Sequence, residues 1–164
     1  SAYGESKRAG EQRALACCEN PLVVRTAWLY GLHGRNFVKT MLQLASERPC
    51  LKVVADQRGC PTFSGDLAGM IGKLLAHPAQ GVLHVTNAGN CTWHEFATEI
   101  VRLSGRPVPV EAITTADMPR PAKRPAYSVL SADRLHHLGF TMPSWQDGLQ
   151  RFMKALPAVS SAVS

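Results

Sequence analysis

The chain has 164 residues, 45% of them hydrophobic and 18% charged, the size and balance of one globular domain. Its formal net charge of +6 comes from basic residues spread along the chain, so no nucleic-acid stripe forms, and no apolar run approaches the ~18 residues that cross a bilayer. The five cysteines show no CxxC spacing and the six histidines no HExxH pattern, which excludes a disulfide framework and a zinc motif. The expected setting is a reducing cytoplasm, with no membrane, nucleic-acid or metal partner.

In chain order, the Ala-, Glu- and Arg-rich stretch from Tyr3 to Cys18 predicts a helix stopped by Asn20-Pro21. Leu22 to Tyr30 is β-branched and aromatic and predicts a buried strand running into a loop marked by Gly31 and Gly34. Phe37, Met41, Leu42 and Leu44 recur at helical spacing between Asn36 and Glu47, and Leu51 to Val54 reads as a short strand. A turn-rich stretch through Gly59 and Pro61 leads to Ser64, a predicted cap for a helix with Leu67, Met70, Ile71, Leu74 and Leu75 inward. Val82 to Thr86 reads as a strand, and Thr92-Trp93-His94-Glu95 is a capping box ahead of Phe96, Ile100 and Val101. Val108 to Ile113 reads as a strand, and the proline-laden stretch 119–125 cannot be regular helix. A short helix from Ser131 to Leu138 closes at Gly139, Ser144 and Asp147 open the last helix, and the tail 157–164 is expected to fray. Strands alternate with helices throughout, so the fold class is α/β. No strand is followed by a GxGxxG or GxxGxxG turn, the usual cradle for a dinucleotide pyrophosphate.

Tyr3 and Lys7 stand four apart on the first predicted helix and share a face. A phenol ordinarily ionises near pH ~10, and a cation beside it favours the phenolate, which suits a proton donor to an alkoxide. A YxxxK pattern alone recurs by chance in many chains. Its surroundings narrow the reading.

Tyr3-Gly4-Glu5-Ser6-Lys7-Arg8-Ala9-Gly10-Glu11 resembles the catalytic helix of extended short-chain dehydrogenase/reductases, in which YGxSKxxGE recurs. Val24 to Gly31 followed by Gly34-Arg35-Asn36-Phe37 is similar to the strand and loop beyond that helix. Asp56-Gln57-Arg58-Gly59-Cys60-Pro61-Thr62 and Arg124-Pro125-Ala126-Tyr127-Ser128-Val129-Leu130 complete an ordered set that resembles the dTDP-4-dehydrorhamnose reductase family. The resemblance covers residues 3 to about 156.

It implies the C-terminal part of a Rossmann-type enzyme plus its smaller sugar-nucleotide domain, with residues 1–35 a remnant of the cofactor domain and 36–156 mainly substrate-binding. It implies reduction of the C4 keto group of a dTDP-linked 6-deoxy-4-keto sugar with NADPH or NADH, bound mainly by residues outside this chain. Tyr3 would donate the proton, and Lys7 would tune it and hold the nicotinamide ribose. Thr26 and Ala27 would line the nicotinamide, Trp28 would pack on the sugar, and Gln57 and Arg124 would face the substrate, Arg124 near its diphosphate. Arg120, Lys123 and Arg124 read equally well as a solvated loop. The family's Gly-rich turn lies upstream of the tyrosine, so the chain alone is expected to be inactive, and residues 1–30 are expected to pair as a homodimer or edge-mediated assembly, or to be disordered. Two readings stand beside the reductase: another nucleotide-sugar epimerase or dehydratase, and a non-catalytic regulatory subunit resembling that of methionine adenosyltransferase. The DQxGxPT and RPxxSxL patterns favour the reductase over the first.

Overall fold

Caps and proline stops divide residues 2–17, 19–118, 122 and 124–156, those described by this computed structural model, into helices laid against short strands. The predicted helix end at Cys18, most of the proline-laden stretch with Arg120 and Lys123, and the tail 157–164 lie outside the described residues. Helix α1 (Ala2–Cys17) buries no side chain fully. The chain then turns back at Asn20 and Pro21 into β1 (Leu22–Arg25) and β2 (Leu29–Tyr30).

The single strand expected from Leu22 to Tyr30 is thus two strands separated by Thr26, Ala27 and Trp28. Trp28 sits at φ 45°, in the left-handed region, which no pleated strand can accommodate. The predicted burial of this stretch is also only partial. Leu22, Val23 and Val24 are half-buried, and Thr26 and Leu29 are exposed.

Helix α2 (Phe37–Glu47) is capped by Asn36, whose side chain accepts the Lys39 N–H at 3.1 Å. There follow β3 (Leu51–Val54), β4 (Arg58–Gly59), β5 (Thr62–Phe63) and α3 (Ser64–Leu75). Ser64 is not the cap predicted for α3. Phe63 holds that position and no side chain caps the helix, because β5 runs directly into it. The Ser64 hydroxyl instead lies where a side chain on Gly31 would be.

Next come β6 (Gly81–His84), β7 (Cys91–Thr92) and α4 (Trp93–Ser104), whose Thr92–Glu95 capping box forms as expected. Strand β8 (Val110–Ile113), a 3₁₀ turn at Thr115–Asp117, α5 (Asp133–His137) and α6 (Trp145–Ala155) complete the order. Strand β1 pairs with β6, β2 with β5 and β3 with β8, all parallel, while β4 and β7 are antiparallel. Parallel pairs joined through helices are the mark of an α/β fold.

Two apolar cores result. Tyr30, Phe96, Ile100, Leu149 and Phe152 lead the larger one, under α2, α4 and α6. Leu67, Met70, Leu74, Leu83, Val85 and Leu135 form the smaller, with Leu22 and Val24 packed on it. The two interleave along the chain. Burying each of the larger side chains stabilises by about 1.5–3 kcal/mol.

Asn87, 1% exposed, ties these layers together. Its Oδ1 accepts the Phe63 N–H at 2.8 Å, and its Nδ2 donates to Asp66 at 2.7 Å and to the Pro143 carbonyl at 3.1 Å. Arg151 of α6 donates twice to the same Asp66 carboxylate, at 2.7 Å each. Gly148 lies against this centre, where an added Cβ would come within 3.1 Å of Asp66 Oδ2. Asn87→Ala would strand the Phe63 N–H and remove one donor to Asp66, and we expect it to lower unfolding stability by about 2 kcal/mol or more in urea titrations. A change below about 0.5 kcal/mol would remove Asn87 from this role.

Candidate functional site

Arg25 closes β1 with a paired salt bridge to α1, its Nε and Nη2 donating to Glu11 at 2.7 and 2.6 Å. Glu11 is held below the usual carboxylate range by that hydrogen bond, so the pair is charged at neutral pH. Since α1 runs back along β1, the helical rise carries Lys7 and Tyr3 ~6 and ~12 Å beyond this level, past the carboxyl end of the strand. That is the end at which parallel sheets bind ligands. Tyr3 is 73% exposed there, and the Lys7 ammonium lies 5.4 Å from its ring centroid. Thr26, exposed, and Ala27, half-buried, leave β1 at the same end.

Trp28 follows in its left-handed conformation, a backbone cost of about 1–3 kcal/mol. Its indole offsets this by stacking on Trp93, centroids 3.5 Å apart and planes 10° from parallel. Its carbonyl accepts the Thr62 N–H at 3.2 Å. The other constraint is Gly59, where an added Cβ would lie 2.4 Å from the indole. Trp28 is thus fixed between the bare backbone of β4 and Trp93.

Trp93 passes the stack on. Its ring meets Phe37 at 4.5 Å, and both line a pocket of about 610 Å³. Met41 and Leu44, at helical spacing from Phe37, extend this apolar wall along α2. Gln57, Thr115 and Arg124 bring polar groups to the lining, and Arg48 and Lys52 add further cations.

Gln57 and Arg124 meet because their two motifs are stitched together. The Arg58 N–H donates to the Ala126 carbonyl at 2.8 Å, and Ser128 donates its N–H and its hydroxyl to the Arg58 carbonyl at 2.9 and 3.0 Å. Gln57 is 8% exposed and donates through Nε2 to the Thr115 hydroxyl at 3.0 Å. Thr115 in turn donates its hydroxyl and N–H to Asp56, at 2.7 and 2.9 Å. Those two bonds, the hydroxyl's first, hold the Asp56 carboxyl below its usual range and keep it ionised at neutral pH.

The structure therefore brings Gln57 and Arg124 into one pocket and sets Trp28 behind its aromatic wall, on Trp93. Tyr3, Lys7, Thr26 and Ala27 do not line that pocket. Sequence reasoning missed Trp93, Phe37 and Thr115 as site residues. The first two carried only capping and helical-spacing signals, and Thr115 carried none.

Taken together, an α/β core with parallel strands, a YxxxK helix packed on β1 and a polar-and-aromatic pocket define a region of an extended short-chain dehydrogenase/reductase. The chain belongs to the family described as RmlD substrate binding domain, which it matches over residues 1–157. A probable dTDP-4,6-dihydroxy-2-methyloxan-3-one 4-ketoreductase of Streptomyces antibioticus is 46% identical over 165 residues, covering 99% of this chain and 55% of that protein. The spore coat polysaccharide biosynthesis protein SpsK of Bacillus subtilis is 41% identical over 93% of this chain and 53% of its own length. The chain spans about half the length of the curated relatives it matches.

Among solved structures, the dTDP-4-dehydrorhamnose reductase of Bacillus anthracis in complex with NADP superposes with a TM-score of 0.89 at 45% identity, over 93% of this chain and 54% of that one. Its counterpart from Clostridium acetobutylicum gives 0.91 at 44%, over 94% and 55%.

Gly59→Ala is expected to push the Trp28 indole off Trp93, with a stability loss of about 1–3 kcal/mol from overpacking. Near-ultraviolet circular dichroism reads the stacked indoles directly. An unchanged spectrum in a folded Gly59→Ala protein would show that Gly59 does not set the position of Trp28.

Proposed function

We propose that this chain supplies the proton donor and the sugar-nucleotide pocket of a dTDP-4-dehydrorhamnose reductase. The observation that carries the proposal is the pocket shared by Gln57 and Arg124, with Phe37 and Trp93 as its apolar wall, in a chain that also carries an exposed Tyr3–Lys7 pair. Relatives bear the names of dTDP-4-dehydrorhamnose reductase and of other dTDP-sugar 4-ketoreductases, so the substrate class is a dTDP-linked 6-deoxy-4-keto sugar and the rhamnose precursor is its member of choice. Residues 1–35, together with β6 through its pairing with β1, belong on this reading to the cofactor side, and the pocket residues to the substrate side.

A ketone becomes an alcohol by gaining a hydride at carbon and a proton at oxygen. NADPH or NADH, when bound, supplies the hydride. The donor set at the carboxyl end of β1 fits the nicotinamide-ribose end of such a molecule: a phenol, an ammonium and a threonine hydroxyl, with Tyr3 and Thr26 open to solvent. Lys7 would hold the ribose hydroxyls, and Thr26 and Ala27 would face the nicotinamide. The Tyr3 hydroxyl gives its proton to the ketone oxygen. Trp28, fixed on Trp93, backs the aromatic wall on which the sugar ring would pack, and Arg124 offers the paired donors that suit a diphosphate.

In the full-length protein, Tyr3→Phe is expected to lower kcat by ~10²-fold or more. Near-normal kcat would exclude Tyr3 as the donor. Arg124→Ala is expected to weaken dTDP binding by about 10-fold in calorimetry, the worth of a charge-assisted contact. Unchanged affinity would assign Arg124 to the solvated surface.

A further inference from the structure

The amide of Gln57 is not free to choose which end it shows to the pocket. Asp56 is a carboxylate and can only accept, so the Thr115 hydroxyl, 2.7 Å away, must spend its one proton on it. Toward Gln57, at 3.0 Å, the same hydroxyl can then only accept, and the Gln57 atom facing it must be the NH₂ group. This assignment follows from proton counting and not from the drawn position of nitrogen and oxygen. The neighbouring Asp117 does not compete for the hydroxyl, because its Oδ2 is taken by the N–H and hydroxyl of Thr114 at 2.8 and 2.7 Å. No donor among the described residues reaches Gln57 Oε1. The buried amide, lining the pocket, therefore presents an acceptor.

We propose that Asp56 and Thr115 are positioning residues that fix the polarity of Gln57, so that the pocket selects a ligand group carrying a hydrogen-bond donor. The proposal rests on reading this pocket as the sugar-nucleotide site. Two parts of such a ligand carry a donor: the imide N–H at ring position 3 of thymine, and a sugar hydroxyl. Cytosine has an acceptor at ring position 3 and meets the Gln57 oxygen with like polarity.

The relay can be inverted by one substitution. In Asp56→Asn, the Thr115 N–H still requires an acceptor at the Oδ2 position, 2.9 Å away, and the amide oxygen of the new side chain supplies it. Its NH₂ then occupies the Oδ1 position and donates to the Thr115 hydroxyl. The hydroxyl proton turns to Gln57, whose amide must flip and show NH₂ to the pocket. Thr115→Val removes the relay, and Thr115→Ser restores it.

Calorimetry on the full-length protein with dTDP, dCDP and dTDP-rhamnose tests the outward consequence. If the imide is the donor, the preference for dTDP over dCDP falls by at least ~10-fold in Asp56→Asn and Thr115→Val and returns in Thr115→Ser, as one well-aligned hydrogen bond predicts. If a sugar hydroxyl is the donor, that ratio stays and the gain in affinity from dTDP to dTDP-rhamnose shrinks instead. Either result supports the proposal. Affinities for all three ligands within twofold of the parent in a folded Asp56→Asn protein overturn it. A second measurement needs no ligand: the nuclear Overhauser contact between the Gln57 side-chain NH₂ and the Thr115 methyl should be present in the parent and weakened in Asp56→Asn. Loss of that contact in a protein that binds no dTDP would sink the reading of the pocket and leave the relay standing. Its persistence unchanged would sink the relay, whatever the protein binds.

Discussion

The buried carboxamide of Asn87 is the constraint on which the rest depends. It receives the N–H of Phe63, the last residue of β5, steadies the Asp66 carboxylate and reaches the turn ahead of α6, joining three separate stretches of chain with one side chain. Asp66 would be costly to bury alone, and Arg151 with Asn87 supplies three donors to it. Because β5 pairs with β2, the position of Asn87 is carried through two residues of ladder to the segment that ends in Trp28. A polar centre thereby sets the position of an aromatic one.

That aromatic centre explains why the strand expected from Leu22 to Tyr30 breaks where it does. A left-handed tryptophan costs about 1–3 kcal/mol, and a stacked aromatic pair contributes about 0.5–1.5 kcal/mol beyond the area it buries. The burial of two indoles decides the balance in favour of the break. The same stack carries on through Phe37 and Phe96 into the larger core, so the wall of the pocket is an outward extension of the protein's own packing. A wall built this way is stiff before any ligand arrives.

The polar wall is organised by a different device. Gln57 and Arg124 are far apart in sequence, yet both flank the short ladder between Arg58 and Ser128. Backbone hydrogen bonds bring the two segments together, and charged or amide side chains at the margins then face the same space. The catalytic-type pair at Tyr3 and Lys7 stands apart from this pocket, at the carboxyl end of β1.

The sequence by itself determined the α/β class, the helices with their caps at Thr92 and Ser144, and the YxxxK helix. These features are local: a cap, a proline stop and an apolar period act within a turn or two of chain. It also marked Gln57 and Arg124 through ordered motifs. Only the tertiary structure decided that the strand from Leu22 breaks at Trp28, since that depends on Gly59 and Trp93 arriving from elsewhere. It likewise decided that Ser64 is no cap, that Trp93 and Phe37 wall a pocket, and that Thr115 controls Gln57 across 58 residues of chain. Contacts of that range leave no periodic trace in a sequence, because the partner's identity matters only once folding has put it within 3 or 4 Å.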